Sequence, residues 1–455
     1  MTEIHVYDSI TLSDFLRDCR TVKGHRMKIG KLFLSDFRGI DKLTLDLQGK
    51  STVLYGINGV GKSTILSAIN LLYTPILNKL TRQKIKQTLN IELSDIKYGK
   101  ASTRIGAAYM FDESDHTLEL SRGMTHENKR MIDNVQLDKL VEYYEKLYVG
   151  KNSIDESNNL IFENPEYNIP IFVNYGVNRL VLKTPLRFRK KEDYGQIAAF
   201  EKAIENQIAF DRLFEWFFDL EFFENMKRKD IPNYQDKELK AVKTAMLAML
   251  DGFEDIHIVA RPYSMRVTKA GEILDVLQLS DGEKCTLALF GDIARRLAIA
   301  NPSLEDPLKG SGVVLIDELE LHMHTSWQRK AIPMLIETFP NIQFIITTHS
   351  PQVLGEINED FNVFSLSKEG KQVKIVPTTT MFGMDSNAIL EDRMNTDSVS
   401  QIIKQKVEEM YVLIDLKDYD GAELIANEID ELTQNRNTDT VRARIIIRRG
   451  RHRNA

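Results

Sequence analysis

Cysteine is nearly missing from this chain. The 455 residues contain two, Cys19 and Cys285, far apart in sequence. That number is too small for a disulfide scaffold, and the spacing matches no zinc motif, so a reducing cytoplasm is the expected setting. Long apolar runs are absent too: none reaches the roughly 18–20 residues that a membrane-spanning helix needs. The first residues, MTEIHVYDSITLSDFLRD, lack the basic-then-apolar order of an export signal. Export and membrane insertion are therefore not expected. Basic charge is not in excess either. The formal net charge is −6, which argues against broad coating of nucleic acid, because that requires clustered Lys and Arg. No internal repeat of solenoid length and no low-complexity linker interrupts the chain.

What is present is ordinary globular material, 42% hydrophobic and 28% charged, enough for a large core. Residues 1–27 read as a helical leader. Strand patterns follow in KIGKLFL, KLTLDL and STVLY, and the last runs straight into a glycine loop and a helix over Thr64–Tyr73. TRIGAAYMF, TLELSRG and IPIFVNYG read as further strands, and residues 133–149 as an amphipathic helix. Residues 195–252 read as strongly helical. IHIVARPYSMRVTKAGEILDVLQL returns to strands, and a long helix opens near Ser280. GVVLID and IQFIITTH are short, continuously apolar strands of the kind buried on both faces of a sheet. NVFSLS and QVKIVPT are strands, and a helical tail spans about Ser398 to Leu432.

Five motifs carry chemistry. Gly56-Ile57-Asn58-Gly59-Val60-Gly61-Lys62-Ser63, followed by Thr64, fits G-x-x-x-x-G-K-[ST] between a strand and a helix. The glycines let the backbone curl so that its N–H groups face phosphate oxygens, and the helix N-terminus adds its dipole. Lys62 would reach the β- and γ-phosphates of ATP, and the Ser63 hydroxyl would take one Mg²⁺ position. Val313 to Ile316 form a buried strand that ends in Asp317 and Glu318, where ligands bind in open α/β sheets. Asp317 would hold the metal and Glu318 would act as general base.

The remaining motifs acquire meaning by resemblance. Leu279-Ser280-Asp281-Gly282-Glu283-Lys284 resembles the signature of ABC-type ATPases in the form found among RecF- and SMC-like members. Thr347-Thr348-His349-Ser350-Pro351 resembles their switch-histidine loop, and Phe37-Arg38-Gly39 the turn that brings an Arg near the nucleotide. The resemblance implies a γ-phosphate contact for Ser280 and Gly282, a place at the nucleotide site for Glu283, a phosphate-sensing role for His349, and a nucleotide contact for Arg38. The family also carries a glutamine after the strand that precedes its helical lobe. Here the candidates are Asn174, Tyr175 and Asn178, none of them Gln. His322 and His324 invite a metal reading, but no Cys or carboxylate cluster completes a zinc site.

The implied fold is an α/β ABC-type P-loop ATPase with an antiparallel β subdomain, a parallel core sheet, an inserted helical lobe and a short helical C-terminal tail. The head would comprise residues 28–75 and 255–380, with strands around 100–122 and 168–176. The insertion would be 76–254 and the tail 381–455. One copy of each motif implies a second protomer, the signature of one facing the P-loop of the other across ATP. The short insertion, the stretch Phe172–Arg179 and the tail resemble the PtuA ATPases of Septu-type and some retron phage-defence systems. That resemblance implies control of a separate HNH nuclease of the PtuB kind rather than cleavage by this chain. Asp415, Asp418 and Asp420 superficially resemble a Toprim nuclease pair within a helical segment. Two other outputs stay open: a RecF-like repair ATPase that binds DNA directly, and a scaffold in which ATP is structural glue. The Arg-rich end (Arg442, Arg444, Arg448, Arg449, Arg451, Arg453) reads as a handle for nucleic acid or an acidic partner, or as a solvated terminus.

Overall fold

The computed structural model describes residues 27–81, 85–111, 117–148, 153–154, 160–161, 168–179, 195–260, 263–370, 372–394, 400–434 and 437–454. The leader expected over residues 1–27 lies outside them, apart from Met27. The chain divides into two compact units, residues 1–383 and 384–455.

The first unit is built on a six-stranded sheet. Its strands are β3 (Ser51–Gly56), β9 (Ile171–Tyr175), β13 (Gly312–Ile316), β14 (Ile342–Thr348), β15 (Phe361–Glu369) and β16 (Gln372–Thr378), in the order β16-β15-β3-β14-β13-β9. All neighbours run parallel except the edge pair β15–β16. Every residue of β9, β13 and β14 is buried, as expected of strands covered on both faces. A second, antiparallel sheet contains β1 (Lys28–Phe37), β2 (Ile40–Asp46), β4 (Ser102–Met110), β5 (Thr117–Thr125) and β6 (Arg130–Ile132), in the order β2-β1-β4-β5-β6. One short pair completes the inventory up to β9: β7 (Ser153–Ile154) with β8 (Leu160–Ile161). The parallel core and antiparallel subdomain are those expected of an ABC-type ATPase.

Helix α1 (Lys62–Leu80) follows β3 directly and runs seven residues beyond the expected end at Tyr73. Pro75 sits inside it. A proline there has no N–H to give the carbonyl four residues back, at Leu71. Arg122 from β5 donates to that carbonyl instead, so the helix continues past its proline. Helix α2 (Asn134–Tyr148) lies where its periodicity placed it.

Residues 195–252 are less helical than their composition suggests. They form a 3₁₀ turn over Gly195–Phe200, then α3 (Phe210–Lys227) and α4 (Lys237–Leu247). The break has local causes. Asp236 caps α4 by accepting from the amides of Glu238 and Leu239, both at 3.0 Å. Glu224 accepts the Asp236 amide at 2.6 Å. A three-stranded sheet follows, β10 (Phe253–Ala260), β11 (Tyr263–Lys269) and β12 (Glu272–Asp275).

Helix α5 (Asp281–Ala300) begins one residue after Ser280. It is buried nearly all round, including Asp292, Arg295 and Arg296. Asp292 accepts from Arg295 at 2.8 Å, from Arg296 at 2.9 Å and from the Tyr175 hydroxyl at 2.8 Å. Helix α6 (Thr325–Thr338) was not read from the sequence. The short α7 (Pro351–Leu354) follows Ser350, whose hydroxyl caps it at Val353.

The second unit holds α8 (Ser386–Asp392), α9 (Gln401–Asp415), α10 (Tyr419–Thr433) and α11 (Thr438–Asn454). Met410, Ile414, Ala422, Ala426, Ile429, Ala443 and Ile447 form its core. The Arg-rich end is thus a packed helix rather than a frayed terminus. Arg444 pairs with Asp430 at 2.7 Å, and Arg451 with Asp420 at 2.6 Å and Glu423 at 2.7 Å. Asp418 caps α10 by accepting the Gly421 amide at 3.0 Å. The side chain of Arg453 lies outside the described residues.

Candidate functional site

In a parallel sheet, the loops at the C-terminal strand ends share one edge, and ligands bind there. Three adjacent strands place three motifs along it. β3 ends in Gly56 and the glycine loop, β13 ends before Asp317 and Glu318, and β14 ends before His349. They surround a cleft of about 440 Å³ whose walls include Asn58, Gly61, Lys62, Ser63, Glu318 and His349. Gly59, Val60 and Thr64 complete the loop side.

The glycines are dictated by backbone geometry. Gly56 has φ +146°, and a Cβ there would sit 2.2 Å from the carbonyl oxygen of Leu366 in β15. Gly59 and Gly61 have φ +79° and +105°, values that L side chains rarely adopt. The first helical hydrogen bond runs from the Ile65 amide to Gly61 O at 3.1 Å. The amides of Lys62, Ser63 and Thr64 therefore precede the helical ladder and form an anion-binding end.

Lys62 is 5% exposed. Its ammonium donates to the carbonyls of Gly56 at 2.8 Å and Ile57 at 3.1 Å, folding back on its own loop. Burial lowers its pKa, while Glu318, Asp317 and Glu320 oppose that shift. The three carboxylates thus share a field with the lysine. Burial also lowers the pKa of His349, and the charge of Lys62 lowers it further. The imidazole is neutral at pH 7.

The acid pair is held by its backbone. Glu318 has φ +49°. Its amide donates to Thr347 Oγ1 at 2.8 Å, and that hydroxyl donates to Asp317 Oδ1 at 2.5 Å. Two residues that sequence reasoning missed hold this corner. Glu320 accepts the His349 amide at 2.5 Å and the Thr348 hydroxyl at 2.8 Å. Arg179 is buried and donates to the carbonyls of Asp317 and Glu318, both at 2.6 Å. The signal for Glu320 was its two-residue spacing from Glu318, and for Arg179 its place after a buried strand. Lys368 and Val373, opposite each other across the β15–β16 pair, also wall the cleft, and nothing in their local sequence marks them.

Other candidates stand elsewhere. Arg38 has φ +51°, and its guanidinium pairs with Asp95 at 2.8 Å. Its neighbours Gly39 and Ile40 line the cleft, but Arg38 does not. Ser280, Gly282 and Glu283 are not among the cleft's walls. Ser280 caps α5 in a reciprocal box: its amide and hydroxyl donate to Glu283 Oε2 at 2.9 and 2.8 Å. The other Glu283 oxygen meets the Lys269 ammonium at 2.5 Å. The Glu283 carboxylate is thus engaged within its own chain. A Cβ on Gly282 would lie 2.4 Å from the His322 carbonyl oxygen, so the start of α5 packs on the segment after the acid pair. His324 caps α6, accepting the Ser326 amide at 3.3 Å. Among the described residues, no group of His, Cys, Asp and Glu is arranged to hold a metal unaided.

Two of the three polar candidates, Asn174 and Tyr175 at the end of β9, are spent in the core. Asn174 donates to Asn206 at 2.6 Å, and the Tyr175 hydroxyl is bound to Asp292. Asn178 is exposed on the loop that follows. Chemically, the cleft offers backbone N–H donors, an ammonium and a neutral imidazole to a polyphosphate. Ser63 on the cleft wall and Asp317, which precedes the wall residue Glu318 but is not itself a wall, carry hard oxygen atoms of the kind Mg²⁺ takes.

Comparison with known proteins agrees with this chemistry. A family model described as "AAA domain, putative AbiEii toxin, Type IV TA system" matches residues 148–355, and one described as "AAA domain" matches residues 31–250. The chain is 29% identical over 431 residues to the retron Ec83 probable ATPase of Escherichia coli, across 80% of this chain and 76% of that protein. It is 25% identical over 391 residues to the Septu protein PtuA of Bacillus mycoides (strain KBAB4), across 79% of this chain and 45% of that protein. Among solved structures, an SMC head bound to the C-winged helix domain of ScpA matches with a TM-score of 0.47 and 15% identity, over 77% of this chain and 98% of that one. No described helix is long and apolar enough to cross a membrane.

Proposed function

We propose that this chain, a RecF/SMC-like ABC-type ATPase related to PtuA, hydrolyses Mg-ATP between two copies of itself in the cytoplasm and thereby controls a partner nuclease in antiviral defence. One observation carries the two-copy reading. The P-loop cleft gathers Lys62, Glu318 and His349, while Ser280 and Gly282 at the start of α5 stand outside it. One chain therefore offers half of two sites, which a two-fold pair completes.

In this reading the loop amides and Lys62 hold the phosphates, Lys62 exchanging its two carbonyl partners for phosphate oxygens. Ser63 and Asp317 would hold a Mg²⁺ ion, which would supply neutralisation of phosphate charge. Glu318 takes the proton of the attacking water. His349 hydrogen-bonds at the γ-phosphate position and registers its loss. Glu283 serves by fixing Ser280, which the second copy presents. Hydrolysis removes the charge that both halves grip, so the pair loosens.

The partner follows from the relation to PtuA. By that resemblance it is an HNH nuclease of the PtuB kind, and the second unit of this chain provides helical surface for it. Of the three acids that resemble a nuclease pair, Asp418 caps α10 and Asp420 pairs with Arg451. Arg448 and Arg449 remain exposed on α11 as a basic edge for nucleic acid or an acidic partner.

The test is sedimentation with and without Mg-ATP, alongside phosphate release. Glu318→Gln should release phosphate roughly 10²–10⁴-fold more slowly and stay paired in ATP, whereas Lys62→Ala should not pair. A Glu318→Gln protein whose mass ignores ATP would sink the sandwich. Wild type and Glu318→Gln releasing phosphate equally would leave ATP as glue. Native protein that brings down DNA and no nuclease would favour direct DNA repair.

A further inference from the structure

Three consecutive carbonyls of the acid-pair turn converge on one buried guanidinium. Arg179 is 1% exposed. Its Nη1 donates to Asp317 O at 2.6 Å and Gly176 O at 3.4 Å, and its Nη2 to Glu318 O at 2.6 Å and Leu319 O at 3.2 Å. These acceptors are all main-chain oxygens, so Arg179 holds a backbone shape rather than a carboxylate. The amides of the same residues are held from the other side. Asp317 N–H donates to Tyr175 O at 2.8 Å and Leu319 N–H to Thr347 O at 3.1 Å, and Glu318 N–H to Thr347 Oγ1 at 2.8 Å. All six main-chain polar groups from Asp317 to Leu319 are therefore engaged. Glu318 is fixed at φ +49°, where a residue with a Cβ rarely settles, and its side chain borders the cleft.

We propose that Arg179 is the positioning residue for Glu318, resting on the reading of Glu318 as general base. The planar guanidinium is suited to this role because its fixed fork of donors spans several carbonyls at once, which a lysine ammonium does not. Its location gives the contact a second use. The loop Gly176–Arg179 is where the chain leaves core strand β9 on its way to α3 and α4. A shift of that loop is delivered to the Glu318 backbone through Arg179.

The experiment uses the whole chain and two readouts, with Arg179→Lys as the variant. The first needs no nucleotide: amide hydrogen exchange of peptides covering residues 317–321 and, as a control, 57–64. Arg179→Lys should speed exchange at 317–321 and leave 57–64 unchanged. The second is steady-state phosphate release. A misplaced base should lower kcat by roughly 10–100-fold with KM unchanged. Unchanged exchange at 317–321 overturns the proposal, and so does a loss expressed in KM alone. Faster exchange across both peptides also overturns it, assigning Arg179 to general stability. If the wild type releases no phosphate while Arg179→Lys still loosens 317–321, the ATPase reading has failed and the positioning contact stands.

Discussion

The carboxylate of Glu320 accepts the backbone N–H of His349 at 2.5 Å, and its second oxygen accepts the Thr348 hydroxyl at 2.8 Å. The segment after β13 therefore fixes the loop after β14, and Glu320 links the backbone that carries Glu318 to that of His349. Hydrogen bonds to a charged group contribute about 1.5–3 kcal/mol each, so Glu320→Ala should release the switch loop. The expected result is a kcat about 10–100-fold lower, with ATP affinity nearly retained because Lys62 and the loop amides are untouched. Phosphate release and a nucleotide titration check both halves. Loss of affinity equal to the loss of kcat would place Glu320 on the nucleotide instead.

Gly282 tests the start of α5. A Cβ there would meet the His322 carbonyl oxygen at 2.4 Å, an approach that backbone on both sides cannot relieve. Gly282→Ala should push the helix N-terminus away from the segment that follows the acid pair. Monomeric nucleotide binding should survive, since Gly282 is not part of the P-loop cleft. ATP-dependent pairing should be lost in sedimentation with Mg-ATP. Pairing at wild-type strength would remove the signature from the interface.

Much of this site was legible because its motifs are local. The P-loop, the acid pair and the switch histidine each sit at one strand end, and a parallel sheet brings strand ends together without further instruction. Ser280 was legible as a helix cap, and α5 begins beside it. What was not legible is long-range. Arg179 reaches residues 138–140 positions away, and its place after a buried strand does not say which carbonyls it will meet. Helix α6 is not marked by a Ser, Thr, Asp or Asn cap in the sequence, because His324 is its cap. The helical reading of residues 195–252 overshot because an apolar, aromatic composition does not show the caps, such as Asp236, that end one helix and start the next. Arg38 was expected at the nucleotide, yet Asp95, 57 positions away, holds its side chain.

The histidine gives a pH prediction with a definite sign. Burial, then the positive charge of Lys62, holds the pKa of His349 below its ordinary value of 6.5. Protonation therefore favours the unfolded chain. This destabilising contribution is absent well above pH 6.5 and grows as pH falls through the unfolded value toward the depressed folded one. Lys62→Ala removes the second cause and should raise the His349 pKa while leaving it below 6.5, because burial persists. Proton NMR of the imidazole in nucleotide-free protein reads this directly. A downward movement on removing the lysine would show that the two groups do not face each other.

Asp292 gives the largest stability prediction. Its carboxylate is fully buried between Arg295 and Arg296 and accepts the Tyr175 hydroxyl. Burial alone would raise its pKa, but the two guanidinium groups outweigh it and bring the value down to about 2 from an ordinary 3.8. A depressed carboxylate contributes stability that is fully present above pH 3.8 and is lost as pH falls through about 2. Asp292→Asn leaves two buried arginines without their counter-charge, which costs roughly 3–5 kcal/mol when a buried ion pair is broken. Tyr175→Phe removes one hydroxyl donor and should cost about 1 kcal/mol. Urea unfolding at pH 7 should therefore rank wild type above Tyr175→Phe, and Tyr175→Phe well above Asp292→Asn. Should Asp292→Asn match wild type at pH 7, the cluster would contribute no net stability and its arginines would have found other partners.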